Sequence, residues 1–151
     1  MASFSISKEY TKDLEGGFWN DPTAGWTYAG ITKKFFPAWP GFSLLLQLQN
    51  KYFPGRSIPR YTKFKNDKLD ELISNFYKNN FWNKLNGSYI ANQTAANFMY
   101  DFMVHKPSQA VTVFNEAAKG IQPGIATDKN KVSIRVVELT NQYPYEFYNA
   151  I

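Results

Sequence analysis

The sequence predicts a mainly α-helical domain that carries one small irregular lobe. Three stretches place apolar residues at i, i+3, i+4 and i+7, the spacing of a helix with one buried face: Leu69-Leu72-Ile73-Phe76, Ala95-Phe98-Met99-Phe102-Met103 and Ala110-Val113-Phe114-Ala117. Residues 18–41, by contrast, are rich in Gly, Pro and Trp with no sustained period, which reads as a long structured loop or a short hairpin. At 151 residues without cysteine, the chain fits one domain held by packing alone.

Taken in order, Ser5 or Ser7 can cap a first helix in which Ile6, Tyr10 and Leu14 share a face, with Gly16-Gly17 as its stop and Glu15 at its end. The run Phe42-Ser43-Leu44-Leu45-Leu46 with Leu48 predicts a buried helix over 42–53, ended near Pro54-Gly55. Asp67 can cap the helix that holds Leu69 to Phe76. Pro107 suits the first turn of the helix that follows the one through Phe98, and these two helices are expected to form a central hairpin. Residues 128–141 fit a helix through Val132, Val136 and Leu139 and a strand through the alternation Val132 to Val136; length favours the helix. Neither repeats nor low-complexity segments interrupt the chain.

A formal charge of +5, from 17 Lys and Arg against 12 Asp and Glu, favours approach to polyanions. The basic residues of Lys33-Lys34 and of Arg56 to Lys68 alternate with aromatic, polar and proline residues, unlike a basic tail, so no nucleic-acid partner is expected. One histidine, His105, and no cysteine argue against a metal centre, and no cofactor is implied. The opening residues lack the basic and apolar blocks of a secretory signal, and no apolar run is long enough to span a bilayer, so membrane insertion is not expected and export needs outside help.

The segment Leu14-Glu15-Gly16-Gly17-Phe18-Trp19-Asn20-Asp21-Pro22, followed by Thr27-Tyr28-Ala29-Gly30-Ile31-Thr32, resembles the opening of glycoside hydrolase family 108, whose pattern runs Glu-Gly-Gly-aromatic, a short turn, then Thr-x-x-Gly-Ile-Thr or Ser. Pro37-Ala38-Trp39-Pro40-Gly41-Phe42, Phe76-Tyr77 to Phe81-Trp82, and Gln93 to Asp101 are similar to later family stretches. The turn here is about two residues shorter than the family's and runs Thr23-Ala24-Gly25-Trp26 where relatives carry a second Asp before Gly-Gly. The resemblance implies a lysozyme-like fold over 1–151, with a catalytic part near 1–105 and C-terminal helices over 106–151 similar to a peptidoglycan-binding part. It also implies N-acetylmuramidase activity on the glycan strands of peptidoglycan. The protein is expected to be a monomer that reaches the bacterial wall after holin-type release or within a phage particle. The alternative expectation is a wall-binding or phage-particle module that kept the fold without the catalysis.

Glycoside cleavage commonly needs a proton donor on the leaving oxygen and a second carboxylate that acts as nucleophile or activates water. Glu15, at the negative end of a helix dipole and beside aromatic residues, is the expected acid, because both influences disfavour its anion. Asp21 is the candidate second carboxylate, although an Asp-Pro pair serves equally as a turn initiator. Thr27, aligned with the family's Thr, is the candidate holder of the attacking water. Trp19, Trp26 and Tyr28 are candidate sugar-stacking rings. Asp101 is a candidate substrate contact, with an internal structural partnership as the competing reading. These groups are expected to line a cleft.

Overall fold

A computed structural model describes residues 1–11 and 16–151. Glu15 and Leu14, and with them the expected end of the first helix, lie outside the described residues. By contacts the chain divides into two compact units, 1–11 with 77–151 and 12–76.

The first unit is helical. It comprises α1 (Phe4–Tyr10), a π-helical turn (Lys78–Trp82), a 3-10 turn (Gly87–Tyr89), α4 (Gln93–His105), α5 (Pro107–Ile121), α6 (Ile134–Gln142) and α7 (Pro144–Asn149). Helices α4 and α5, on either side of residue 106, pack together as the expected hairpin, and Trp82, Tyr100, Phe114 and Phe147 are buried in the shared core. Pro107 stands in the first turn of α5, where its missing N–H costs no hydrogen bond. The ambiguous stretch resolves as a helix from Ile134. The hydroxyl of Ser133 accepts the Val136 N–H at 3.3 Å, while Val132 precedes the helix, buried and bonded to Lys84 and Asn86. The apparent strand alternation was a helix cap flanked by two buried valines.

Helix α1 corrects the expectation for its buried face. It starts at Phe4, after Ser3 rather than after Ser5 or Ser7, and Ile6 and Tyr10 are exposed. Its inward side pairs Phe4, packed on Trp82 and Tyr100, with the buried polar residues Ser7 and Thr11. The Ser3 N–H donates to Gln93 Oε1 (2.7 Å), the Ser7 hydroxyl to Asn97 Oδ1 (2.8 Å) and the Thr11 hydroxyl to Asp101 Oδ1 (3.1 Å), while Gln93 Nε2 donates to Ser7 Oγ (3.0 Å). Residues four apart on α1 thus meet residues four apart on α4, one turn per step. The hydrophobic period misled because this seam satisfies buried polar groups pairwise, which makes their burial cheap.

The second unit holds a three-stranded antiparallel sheet, β1 (Trp19–Asp21), β2 (Gly25–Tyr28) and β3 (Ile31–Thr32), then α2 (Gly41–Tyr52) and α3 (Asp67–Tyr77), whose last residue falls in the first unit. The hairpin expected in 18–41 is present with a third strand added. Gly25, at φ +72°, closes the β1–β2 turn, a backbone position suited to glycine. Asn66, one residue earlier than expected, caps α3 by accepting the Leu69 N–H at 2.9 Å. Trp39, Phe42, Leu45, Leu69 and Phe76 are buried, and the Trp39 indole donates to the Leu72 carbonyl at 3.3 Å.

Candidate active site

Strand register gathers several of the expected residues on one face of the sheet. Trp19 lies opposite Thr27, Asp21 opposite Gly25, and Thr27 opposite Thr32, so Trp19, Asp21, Thr27 and Thr32 project to the same side. The alternate positions Trp26 and Tyr28 project to the other. Tyr28 is buried, and its hydroxyl accepts the Phe64 N–H at 2.9 Å, so its ring supports the 64 segment. Trp26 packs edge-on against Phe18 with ring centres 5.2 Å apart.

Asp21 is committed to the β1–β2 turn. Its Oδ1 accepts the Thr23 N–H, the Thr23 hydroxyl and the Ala24 N–H, each at 2.8 Å, and Oδ2 accepts the Trp19 indole N–H at 3.3 Å. These donors, the Ala24 amide foremost, lower its pKa to about 2. The side chain is therefore ionised throughout the neutral range. It can supply negative charge, but it is a weak base.

The two threonines differ from this. Thr27 Oγ1 reaches the Gly25 carbonyl only at 3.5 Å, the limit of a hydrogen bond, and Thr32 Oγ1 is buried without a partner among the described residues. A buried hydroxyl left unpaired is costly enough to require an explanation. The sequence reading named Thr32 within a motif but gave it no role; its hydroxyl is visible only once β3 is paired with β2.

The Gly16-Gly17 corner has a steric cause. A Cβ on Gly17 would lie 2.5 Å from the Tyr61 carbonyl oxygen, because the Phe18 N–H donates to Thr62 and the Tyr61 N–H returns to Phe18, both at 2.8 Å. Gly16 accepts the Ala29 N–H at 2.8 Å, tying the corner to the β2–β3 turn. Both partners are strained: Ala29 and Tyr61 have φ of 50° and 69°, a conformation that costs a non-glycine residue of the order of 1–3 kcal/mol. The fold accepts that cost where it fixes the backbone following Glu15.

Next to Tyr61, the Arg60 guanidinium lies over the Trp19 ring, 3.8 Å from its centre, and 4.7 Å from the Tyr61 ring centre. No spacing rule links residues 19 and 60, so sequence reading missed this pair. In the helical unit, Asp101 accepts from Thr11 and stands 3.6 Å from His105 Nδ1, which itself lies 2.8 Å from the Asp101 carbonyl oxygen. That unit also has an open cavity of about 590 Å³ lined by Phe98, Tyr145, Tyr148, Asn92 and Asn141 among others. Among the described residues no cluster of His, Asp or Glu could hold a metal ion, and no helix is long and apolar enough to cross a membrane.

Mostly helical with one small antiparallel sheet, the chain has the mainly α, lysozyme-like build that the resemblance implies. The family model described as Glycosyl hydrolase 108 matches residues 9–106, and the chain belongs to that family. It is therefore a glycosidase, with peptidoglycan as the substrate class at the level of the family. No curated protein and no solved structure matches the chain.

Proposed function

We propose that the protein is an N-acetylmuramidase that cuts the β-1,4 bond between N-acetylmuramic acid and N-acetylglucosamine, with Glu15 as the general acid. The observation that carries this reading is the family match across the Glu15-Gly16-Gly17 corner, whose second glycine is required sterically by the Tyr61 carbonyl. Glu15 protonates the glycosidic oxygen as the bond to the anomeric carbon breaks. Asp21, ionised and turn-bound, acts through its charge on the cationic sugar that develops, and the Thr27 and Thr32 hydroxyls hold the water. Trp19 offers an aromatic face to the saccharide. Asp101 fixes Thr11 at the end of α1. The C-terminal helices, with the aromatic cavity between α4, α6 and α7, add a contact to the wall polymer. The protein acts as a monomer at the bacterial wall, reached by holin-type release or within a phage particle.

Glu15→Gln tests the assignment. Removing a general acid costs about 10²- to 10⁴-fold in rate, so turbidity loss of purified sacculi should all but stop while the helical circular-dichroism spectrum persists. Lysis at the wild-type rate would remove Glu15 from the mechanism. A second reading, a wall-binding module without catalysis, is favoured by one observation: the Asp21 carboxylate is fully engaged by its own turn. It predicts sacculus binding with no new reducing ends, and the appearance of such ends excludes it.

A further inference from the structure

Between Pro22 and Asn66 the chain has no Asp or Glu but seven cations, Lys33, Lys34, Lys51, Arg56, Arg60, Lys63 and Lys65. Five of them lie over aromatic rings: Lys33 over Trp26, Lys34 over Phe35, Lys51 over Tyr52, Arg56 over Phe53 and Arg60 over Trp19 and Tyr61. An exposed cation on a ring gains about 0.5–1 kcal/mol, as much as an exposed salt bridge at about 0–1 kcal/mol. The two arrangements differ in what they leave over. A salt bridge neutralises the cation and spends its N–H donors; a ring does neither.

Arg60 has the most defined geometry of the five. Its guanidinium is 3.8 Å from the Trp19 ring centre, and Trp19 is itself oriented by its indole bond to Asp21. Backbone pairing of Tyr61 and Thr62 with Phe18 fixes the next residues, at the cost of a left-handed Tyr61. No carboxylate among the described residues lies within 4.0 Å of Arg60, and its side chain makes no hydrogen bond there. A pre-oriented guanidinium with its planar fork of donors unspent suits a carboxylate, which it can bind through two parallel hydrogen bonds.

We propose that Arg60, laid across Trp19 and Tyr61, is a carboxylate-binding subsite that grips free carboxyl groups of the peptide stems of peptidoglycan, beside the sheet face that meets the glycan. The proposal rests on the peptidoglycan reading and adds the peptide as a recognised part of the substrate. The remaining cations of the segment raise the local concentration of the acidic polymer without orienting it.

Binding is measured in the Glu15→Gln background, so that cleavage does not intervene; if that variant still cleaves, the muramidase assignment fails separately. Adding Arg60→Gln should weaken binding to intact sacculi about tenfold, the worth of a charge-assisted hydrogen bond, and leave binding to β-1,4-linked N-acetylglucosamine oligomers, which carry no carboxyl group, unchanged. Arg60→Lys should fall between. Sacculi whose carboxyl groups have been converted to amides should bind the Arg60-containing protein at least as weakly as untreated sacculi bind Arg60→Gln, because amidation also removes the charge that draws in the other cations, and on amidated sacculi the two proteins should bind alike. Undiminished binding to the amidated sacculi, or an equal loss on the carboxyl-free oligomers, overturns the proposal.

Discussion

In the helical unit, Lys119 and Arg135 each meet a glutamate three residues away, at 3.2 and 3.1 Å, whereas the seven cations between Pro22 and Asn66 have no acidic residue in their own segment and five of them rest on rings. Backbone strain divides the same way. The left-handed non-glycine residue of the helical unit is Asn86, a type that tolerates the conformation and whose amide donates to the Val132 carbonyl at 2.7 Å; those of the sheet unit are Ala29 and Tyr61, which do not. In one unit period, caps and charge pairs agree, and the exception among its described residues is Asn115 Oδ1 on α5, buried without a partner although the same amide donates to the Asp128 carbonyl. The other keeps unpaired charge, an unpartnered threonine hydroxyl and two strained residues around one corner. Departures from local consistency concentrate at functional sites, because binding needs groups that folding has not already satisfied.

The largest effect that separates the units is on stability. Phe114 is fully buried on α5, with ring contacts to Phe98, Phe102 and Phe147, so Phe114→Ala should cost about 3–5 kcal/mol. Chemical denaturation reads that loss, and the rate per folded molecule on sacculi should stay near wild type. A large fall in specific activity of the folded fraction would show that the helical core does more than support.

A smaller and opposite pattern is expected at two glycines. Gly17→Ala places a methyl 2.5 Å from the Tyr61 carbonyl oxygen and must displace the 18–61 pairing, at about 1–3 kcal/mol, with activity falling further than stability explains. Gly120→Ala, in α5 with open space around it, should be neutral or stabilise by up to about 1 kcal/mol. Thermal melts paired with lysis rates on the two variants decide the matter: equal behaviour would erase the distinction between a corner shaped for function and a helix position that is merely unoptimised.

That contrast also explains what the sequence could reveal. Helices α3, α4 and α5 were legible because their apolar faces repeat at 3.6 residues and Pro107 marks a start. Helix α1 was placed but turned the wrong way, since its buried face is Ser7 and Thr11, whose partners are about 90 residues distant and leave no local pattern. Helix α7 and the π-helical turn at Lys78–Trp82 went unread because each is too short to show a period. In the sheet unit, the aperiodic Gly-, Pro- and Trp-rich stretch 18–41 fitted a structured loop as well as a short hairpin, and the family motif pointed to Glu15 and Thr27. The interleaving of basic and aromatic residues was noticed only as a sign against a basic tail. Its meaning needed Arg60 beside Trp19, a contact across forty-one positions that composition cannot encode.

The mildest test concerns Asp21, where the turn and the candidate site share one carboxylate. Its folded pKa, about 2, lies below its ordinary 3.8, so the bonds to Thr23 and Ala24 favour folding at full strength above pH 4 and fade as pH falls from about 4 to about 2. Trp19, bonded to the same carboxylate, reports on the turn. In Asp21→Asn, which keeps an acceptor oxygen but carries no charge, this contribution to the acid dependence should vanish, and the stability difference between variant and wild type should shrink through that window. Titration of tryptophan fluorescence and unfolding free energy reads both. A difference constant from pH 5 to pH 2 would mean that the Asp21 carboxylate is not held by its turn, and would free it for the second-carboxylate role.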